Sequence, residues 1–362
     1  MLNADDPVVL LQHHGLTDMG GKTGLALLRY RPGPVVAVID PAQAGASLRD
    51  LTGIPRDVPV CASMAEALPL LPPGQQGVAV VGLAPAGGRL PPQLQADLAA
   101  ALAAGLSLAS GLHTRLGDDP TLAALLQPGR WIWDLRREPP DLVVGAARTA
   151  GLPARRLLAV GSDMSVGKMS ACLELQAAAV RRGIDARFVG TGQAGILISG
   201  RGVALDAVRV DYAAGAVEQA VLSAAEGAGP QTWLLVEGQG SLAHPGSTAT
   251  LPLLRGSQPT DLLMVHRAGQ RVIRNQPHVP IPPLEELITA VEAIAAMGRP
   301  ADAPQPPPRV RAVALNTDGL MVEEAAAAVA AITEATGLAC ADPVREGGER
   351  LLEALLKAAE AA

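Results

Sequence analysis

Residues 157–170 have the types and spacing needed to bind a phosphate group. An apolar run, residues 157–160, leads into a loop that ends in Gly167-Lys168, and an apolar stretch with helical periodicity, residues 171–180, follows. In such a turn, backbone N–H groups and a helix N-terminus converge on one point, where an anion is stabilised. Lys168 adds a positive charge for the outer phosphates. The sequence therefore predicts a strand, a phosphate-binding loop and a helix, in that order.

The loop differs from the usual phosphate-binding pattern in its spacing and in its metal ligand. Five residues separate Gly161 from Gly167, so Ser162 stands where the first glycine is usual, and Met169 replaces the magnesium-binding Ser or Thr. This longer form resembles the loop of the dethiobiotin synthetase branch of P-loop proteins. A purely structural glycine turn is the alternative. Phosphate or cofactor contact is expected from the whole loop, with Ser170 also a candidate ligand of Mg²⁺: Gly161, Ser162, Asp163, Met164, Ser165, Val166, Gly167, Lys168, Met169 and Ser170.

A carboxylate follows the predicted buried strand at residues 233–236. Because ligands collect at the carboxyl edge of parallel sheets, Glu237 is expected beside the loop, either binding Mg²⁺ or acting as a general base. His244 is a candidate proton shuttle, and a hydrogen-bonded loop histidine is the alternative. A structural carboxylate is the alternative for Glu237. Four residues between the two are candidate substrate contacts: Gly238, Gln239, Gly240 and Ser241.

Four more candidates lie at other predicted strand ends. Gln193 belongs to a Gly-rich loop, residues 190–195. Arg267 and Arg271 lie in a basic loop, and their guanidinium groups suit carboxylates or phosphates. Asn316 closes a strand where P-loop proteins place an Asn on the adenine ring. Plain turns and solvated surface charge are the alternatives.

A second loop near the N-terminus repeats the spacing of the first. Residues 15–21 are followed by Lys22 and Thr23, so this loop has the hydroxyl that the other lacks. A second nucleotide site is one interpretation. The preferred one is a pocket loop whose Lys22 and Thr23 contact substrate in a shared active site, because the preceding strand is short and is followed by residues 12–14, Gln-His-His. The Gly-x-Gly-x-x-Gly fingerprint of dinucleotide-binding domains is also absent.

Alternating short apolar runs and amphipathic stretches predict two parallel α/β sheets. We expect one parallel-sheet domain over residues 1–140, a polar and proline-rich linker over 141–156, and a second domain, which begins with the phosphate-type loop, over 157–362. The predicted strands are residues 8–11, 35–39, 77–83, 106–110, 131–135, 157–160, 187–190, 233–236, 262–265 and 310–315. The predicted helices are residues 22–29, 93–104, 171–180, 211–225, 284–297 and 322–336.

Composition and charge argue against several classes of protein. The net charge of −6 is spread over interspersed acids and bases, which predicts no nucleic-acid interface. No apolar run reaches the roughly 18 residues of a membrane helix, and no signal-peptide pattern begins the chain. Three scattered cysteines, without a Cys-x-x-Cys pair, favour neither disulfides nor zinc and indicate a reducing cytoplasm. The expected partner is a small amino-acid-like molecule, and a homo-oligomer is left open.

Taken together, these features resemble the D-glutamate N-acetyltransferase (DgcN-type) family, long catalogued as a domain of unknown function. The resemblance covers nearly the whole chain, in order. It runs through residues 21–30, 36–40, 110–113, 118–120, 161–169, 191–193, 236–245 and 280–284.

The resemblance implies a Rossmann-like and a P-loop domain, and transfer of an acetyl group from acetyl-CoA to the amine of an acidic D-amino acid. Glu237 or His244 would then deprotonate the attacking ammonium, backbone amides of residues 238–240 would stabilise the oxyanion, and Arg267 or Arg271 would hold the carboxylates.

Two other activities remain open on the chemistry of the loop. In an ATP- and magnesium-dependent kinase or carboxylate ligase of the dethiobiotin synthetase type, Lys168 would neutralise charge on the transferred phosphoryl group. In a nucleotide-gated regulatory protein, Met169 would disrupt metal binding and so prevent hydrolysis.

Overall fold

The computed structural model describes residues 2–360, and the chain divides into two compact units. The first comprises the residues up to Glu138 together with Gln193–Gly200. The second comprises Pro139–Gly192 and the residues from Arg201 onward. A short segment from the middle of the chain therefore completes the N-terminal unit.

The first unit is built on a parallel sheet of six strands within the described chain, in the order β3-β2-β1-β4-β5-β6. This order winds outward in both directions from β1 and β4, as in dinucleotide-binding folds. Its elements are β1 (Val8–Leu11), α1 (Lys22–Tyr30), β2 (Val35–Ile39), α2 (Leu48–Thr52), β3 (Val60–Cys61), α3 (Met64–Ala67), β4 (Val78–Val81), α4 (Gln95–Ala103), β5 (Ser107–Ser110), α5 (Pro120–Ala123) and β6 (Ile132–Asp134).

Aliphatic side chains form the core of this unit. Val9 and Leu11 of β1 and Ile39 of β2 are fully buried beside Leu98 and Leu102 of α4. Strands whose residues are all buried lie under helices on both faces, which is why they read as continuous apolar runs.

The second unit has its own parallel sheet, also of six strands among the described residues, in the order β14-β13-β10-β7-β9-β8. The two parallel sheets and their covering helices confirm the predicted α/β class. The elements of the second unit, which does not include α7 (Gln193–Ser199), are β7 (Arg155–Gly161), α6 (Lys168–Arg181), β8 (Ala186–Val189), α8 (Ala213–Ala224), β9 (Trp233–Val236), α9 (Thr250–Ser257), β10 (Asp261–Arg267), β11 (Val272–Ile273), β12 (Gln276–Pro280), α10 (Leu284–Ala296), β13 (Arg309–Asn316), α11 (Val322–Thr336), β14 (Ala339–Ala341), α12 (Pro343–Glu346) and α13 (Glu349–Glu360).

Helix α7 (Gln193–Ser199) is the segment that completes the first unit. Its Ile196, Leu197 and Ile198 are buried, and the helix packs on α1. Gln193 donates a hydrogen bond from Nε2 to the hydroxyl of Thr23, 2.8 Å away. A Cβ at Gly111 would lie 2.7 Å from the Cβ of Gln193, so only glycine fits there.

The predicted basic loop contains a small antiparallel hairpin, β11–β12. Asn275 between the strands has φ of 64°, a conformation that Asn tolerates better than most residues. Of the helices within residues 2–360, none is long and apolar enough to cross a bilayer.

Candidate active site

The central strand of the second sheet, β7, has β9 on one side and β10 on the other. The chain runs from β7 to the edge strand β8, returns to β9, and then crosses to β10. Strand order therefore reverses beside β7, and in open parallel sheets ligands bind at such a reversal, outside the carboxyl ends of the strands. The phosphate-type loop follows β7, and Glu237 follows β9.

The loop between β7 and α6 enters the helix through a glycine in the left-handed region. Gly167, which precedes the helix, has φ of 110°, a conformation that essentially only glycine adopts. Among residues 2–360, no acceptor is recorded for the N–H groups of Lys168, Met169 and Ser170, the first three residues of α6. A helix leaves its first N–H groups without internal partners, so these three are available to an anion.

Lys168 lies within the loop with its ammonium group buried. The side chain is 6% exposed, and Nζ donates to the carbonyl oxygen of Asp163 at 2.8 Å. Burial lowers the pKa of Lys168 to about 8, against the opposing charges of Asp163 and Glu237. A bound phosphate would add negative charge beside this ammonium and so favour its charged form.

Glu237 fixes the loop that follows β8. Its Oε2 accepts hydrogen bonds from the backbone N–H of Thr191 at 2.8 Å and of Gly192 at 3.1 Å. Gln239 donates from Nε2 to the carbonyl oxygen of Thr191 at 2.6 Å. Two N–H groups of the Gly-rich loop that is predicted to contact a ligand thus donate hydrogen bonds to Glu237.

The carboxyl group of Glu237 is buried beside Lys168. Burial raises its pKa to about 7, although the two backbone N–H groups and Lys168 pull in the opposite direction. A carboxyl group with this pKa is partly ionised at neutral pH, which suits a general base.

Close backbone packing surrounds this pair of charges. A Cβ at Gly238 would clash with the carbonyl oxygen of Ala159 in β7 and lie 2.9 Å from Cδ of Lys168. A Cβ at Gly161 would lie 2.9 Å from Nζ of Lys168. Ser241 donates its hydroxyl to the carbonyl oxygen of Ser162 at 3.0 Å. Gly240 has φ of 67° and turns the chain between Glu237 and Ser241.

Two loop residues expected to contact phosphate instead contact the end of β10 and the chain that follows it. The hydroxyl of Ser162 lies 2.7 Å from Nδ1 of His266, and both residues are buried. The carboxylate of Asp163 accepts from Nε2 of Gln270 and from the backbone N–H of Arg274. Sequence reasoning did not foresee these partners; the signal for one was Ser162 itself, a hydroxyl in place of a glycine.

The remaining predicted residues lie around the carboxyl edge in varied settings. Arg267 forms an exposed ion pair with Asp318 at 3.3 Å, and Arg271 is exposed. Asn316 donates from Nδ2 to the carbonyl oxygen of Val166 and accepts from the N–H of Asp318, so its amide supports the phosphate-type loop. His244 is half-buried, and its Nδ1 accepts from the N–H of Gly246.

The candidate magnesium ligands Ser170 and Glu237 are not part of a larger cluster of metal-ligating side chains within the described residues. Over residues 2–360, no group of three or more His, Cys, Asp or Glu side chains is placed to hold a metal ion. One oxygen of Glu237 is already engaged by two backbone N–H groups. A cation held here would therefore depend on phosphate oxygens and water for most of its ligands.

The N-terminal loop before α1 has a different interior. The side chain of Gln12 is fully buried and donates from Nε2 to the carbonyl oxygens of Gly15 and Gly21. The N–H of Gly24, in the first turn of α1, donates to the carbonyl oxygen of Gly82. Carbonyl groups thus point inward, and a protein acceptor takes a helix N–H group, so the geometry disfavours a second phosphate site. Lys22 is exposed at the start of α1.

The fold and this site define a two-domain α/β protein with a Rossmann-like N-terminal domain and a C-terminal P-loop domain. Two family models agree: one described as "Domain of unknown function (DUF1611_N) Rossmann-like domain" matches residues 41–138, and one described as "Domain of unknown function (DUF1611_C) P-loop domain" matches residues 143–352. The chain belongs to the DUF1611 family.

Named relatives confirm the family resemblance expected from the sequence. A protein named D-glutamate N-acetyltransferase from Tritonibacter scottomollicae is 38% identical over 76% of this chain and 80% of its own length. A second protein of that name, from a Pseudoalteromonas species, is 34% identical over 75% of this chain and 79% of its own. A crystal structure of a DUF1611 family protein from Anabaena variabilis is similar with a TM-score of 0.87 and 51% identity, covering 98% of this chain and 100% of that one.

Proposed function

We propose that this protein transfers an acetyl group from acetyl-CoA to the amine of D-glutamate. The observation that carries the proposal is the shared name of the two relatives, D-glutamate N-acetyltransferase, at 38% and 34% identity over three quarters of this chain. The site supports it with an anion-binding loop beside a buried carboxyl group of suitable pKa.

The loop fits the diphosphate of acetyl-CoA. The first N–H groups of α6 lack a protein acceptor among residues 2–360, and the Lys168 ammonium is buried with a carbonyl oxygen as its hydrogen-bond partner. A diphosphate would satisfy both kinds of donor, because charge-assisted hydrogen bonds to oxyanions are among the strongest in proteins. Acetyl-CoA supplies the acyl group as a reactive thioester.

Glu237 is the proposed general base. Its ionised carboxylate accepts a proton from the ammonium of D-glutamate, and the nitrogen forms a bond to the acetyl carbon while the carbon–sulfur bond breaks. The nitrogen loses its second surplus proton as the amide forms, and this proton passes to the departing sulfur, so that CoA is released as the free thiol. The N–H groups of Gly238 to Gly240 are proposed to stabilise charge on the acetyl oxygen. His244 is the second candidate for the proton transfer.

An ATP-dependent kinase or ligase is the second candidate function. The open N–H groups of Lys168 to Ser170 favour it equally, since they would bind the phosphates of ATP as well as those of CoA. In that reaction Lys168 would stabilise the transferred phosphoryl group, and Mg²⁺ would be required.

One assay separates the two candidates. Purified protein is incubated with D-glutamate and either acetyl-CoA or ATP with Mg²⁺, and free thiol, phosphate and N-acetylglutamate are measured. We expect thiol release that depends on D-glutamate, in an amount equal to the amount of N-acetylglutamate formed. ATP consumption that depends on D-glutamate, without thiol release, would overturn it in favour of the second candidate.

A further inference from the structure

Asp163 is buried, and its carboxylate accepts hydrogen bonds from the chain that follows β10. The residue has no exposed surface. Oδ2 accepts from Nε2 of Gln270 at 2.6 Å and from the backbone N–H of Arg274 at 2.7 Å. Oδ1 accepts from the N–H of Met164 at 2.6 Å. Burying a carboxylate is costly unless hydrogen bonds replace its water, and two of these three bonds come from the same short segment.

The same residue also contacts the phosphate-type loop. Its carbonyl oxygen accepts from Nζ of Lys168, and the preceding Ser162 pairs with His266. The chain from His266 to Arg274 is therefore held to two consecutive residues of the loop by three hydrogen bonds. We define residues 266–280 as the basic hairpin segment.

The guanidinium groups of two arginines in this segment have no recorded partner within residues 2–360. Arg271 and Arg274 are exposed, and the structure records no ion pair or side-chain hydrogen bond for either within residues 2–360. Arg267, by contrast, has a partner in Asp318. A rigidly held backbone that carries two free guanidinium groups is suited to fixing carboxylates, because the planar fork can bind a carboxylate through two parallel bonds.

We propose that Arg271 and Arg274 bind the carboxylates of the acidic acceptor and that Asp163 is the positioning residue that holds their segment in place. This inference rests on the proposed function. It reverses the expectation that Asp163 contacts phosphate, since its carboxylate is turned to Gln270 and Arg274. The acceptor is a better match than CoA, because the diphosphate already has the N–H groups of α6 and Lys168.

The first test compares steady-state kinetics of wild type, Arg271→Ala and Arg274→Ala. The expected result is a KM for D-glutamate at least tenfold higher, with the KM for acetyl-CoA within about twofold of wild type. Preference for D-glutamate over D-glutamine, which lacks the side-chain carboxylate, should shrink. Arg274→Lys should recover part of the preference. Arg350→Ala, an exposed arginine on α13, is the control and should leave both KM values unchanged.

The second test concerns positioning. Asp163→Asn keeps the shape but cannot accept from all three donors, and Gln270→Leu removes a donor on the hairpin side without altering the loop. Both variants should raise the KM for D-glutamate at least fivefold. Gln270→Leu should leave the KM for acetyl-CoA nearly unchanged, because Gln270 lies outside the phosphate-type loop. Added to Arg274→Ala, Gln270→Leu should have less than its separate effect, because both act through the same contact.

Failure of this inference is distinguishable from failure of the proposed function. If wild type releases no thiol with any acidic D-amino acid, the function is wrong. If wild type is active and the arginine variants raise only the KM for acetyl-CoA, or neither KM, the assignment of the basic hairpin segment is overturned.

Discussion

Two buried groups of opposite charge, Lys168 and Glu237, lie beyond the carboxyl ends of the adjacent strands β7 and β9. Each has a pKa displaced toward neutrality by burial, to about 8 for the ammonium and about 7 for the carboxyl group. Perturbed ionisable groups are concentrated at functional sites, since isolated charges are costly to bury for stability alone.

Replacing Lys168 by Ala should weaken binding of the phosphate-bearing substrate. Loss of a charged hydrogen bond to an anion corresponds to about 1.5–3 kcal/mol, so the KM for acetyl-CoA should rise by roughly tenfold or more. Lys357→Ala, at an exposed lysine of α13, is the matched control. An unchanged acetyl-CoA response in a thermal-shift titration of Lys168→Ala would place the diphosphate elsewhere.

The acidic limb of the pH profile of kcat/KM should reflect the ionisation of Glu237. A general base must be ionised to accept a proton, so kcat/KM is expected to rise with pH up to about 7 and then level off. Glu237→Gln should lower kcat by about 10²–10⁴-fold and abolish that limb. A limb that persists in an active Glu237→Gln variant would assign it to another group.

The raised pKa of Glu237 also predicts the direction in which the free energy of unfolding changes with pH. The folded pKa of Glu237 is raised above its ordinary value of 4.5, so the folded state holds a proton between pH 4.5 and about 7 that the unfolded state has lost. The free energy of unfolding should therefore fall as pH rises through this window, and Glu237→Gln should be less sensitive to pH there. Denaturant titrations of both proteins at pH 5 and pH 8 measure the difference.

Local sequence was sufficient to propose Lys168 and Glu237 as site residues and insufficient for Asp163. A Gly-Lys pair after an apolar run, and an acid after another, are informative because parallel strands end at a common edge. The partners of Asp163 are 107 and 111 residues further along the chain. Only folding brings that distant segment to the loop. From the sequence of the loop alone, the expected partner of the Asp163 carboxylate is therefore the ligand.

At the scale of the elements, the backbone at Gly238, two residues after β9, packs closely against strand β7. Gly238→Ala should destabilise the protein by about 1–3 kcal/mol, because the added Cβ has no free space beside the Ala159 carbonyl oxygen. Gly229→Ala is the control, since a Cβ there meets no atom within 4 Å. Equal melting temperatures for the two variants would contradict the packing described.

The predicted elements differ from the observed ones where the local pattern is short or interrupted. Long apolar runs and strongly periodic stretches were placed correctly, as for Val35–Ile39, Trp233–Val236 and Val322–Thr336. Val60–Cys61 is too short to give an alternating pattern, and its strand exists because β2 offers an edge. The helix predicted from residue 93 begins at Gln95, after a 3-10 turn at Pro92–Leu94.

At the scale of the whole molecule, the division into units does not follow the chain. Helix α7 lies between β8 and α8 in sequence but belongs with the N-terminal unit. No local feature of residues 193–199 distinguishes a helix of one unit from a helix of the other, so this arrangement was not predicted.

Hydrogen exchange should show that α7 shares the stability of the first unit. Leu98→Ala in that unit's core should cost about 2–5 kcal/mol and speed exchange in Gln193–Ser199 as well as in β1 and β4. Leu234→Ala, in the core of the second unit, should speed exchange in β7 and β9 with a smaller effect on α7. The reverse pattern would assign α7 to the second unit.

The interrupted first unit also has a consequence for biosynthesis. The ribosome translates the residues up to Glu138 first, and the helix that completes their fold begins about 55 residues later. At about 5–20 residues per second, this interval lasts roughly 3–11 s. During it, the nascent chain has α1 without the helix that packs on it, so the first unit cannot reach its final fold until α7 has been made.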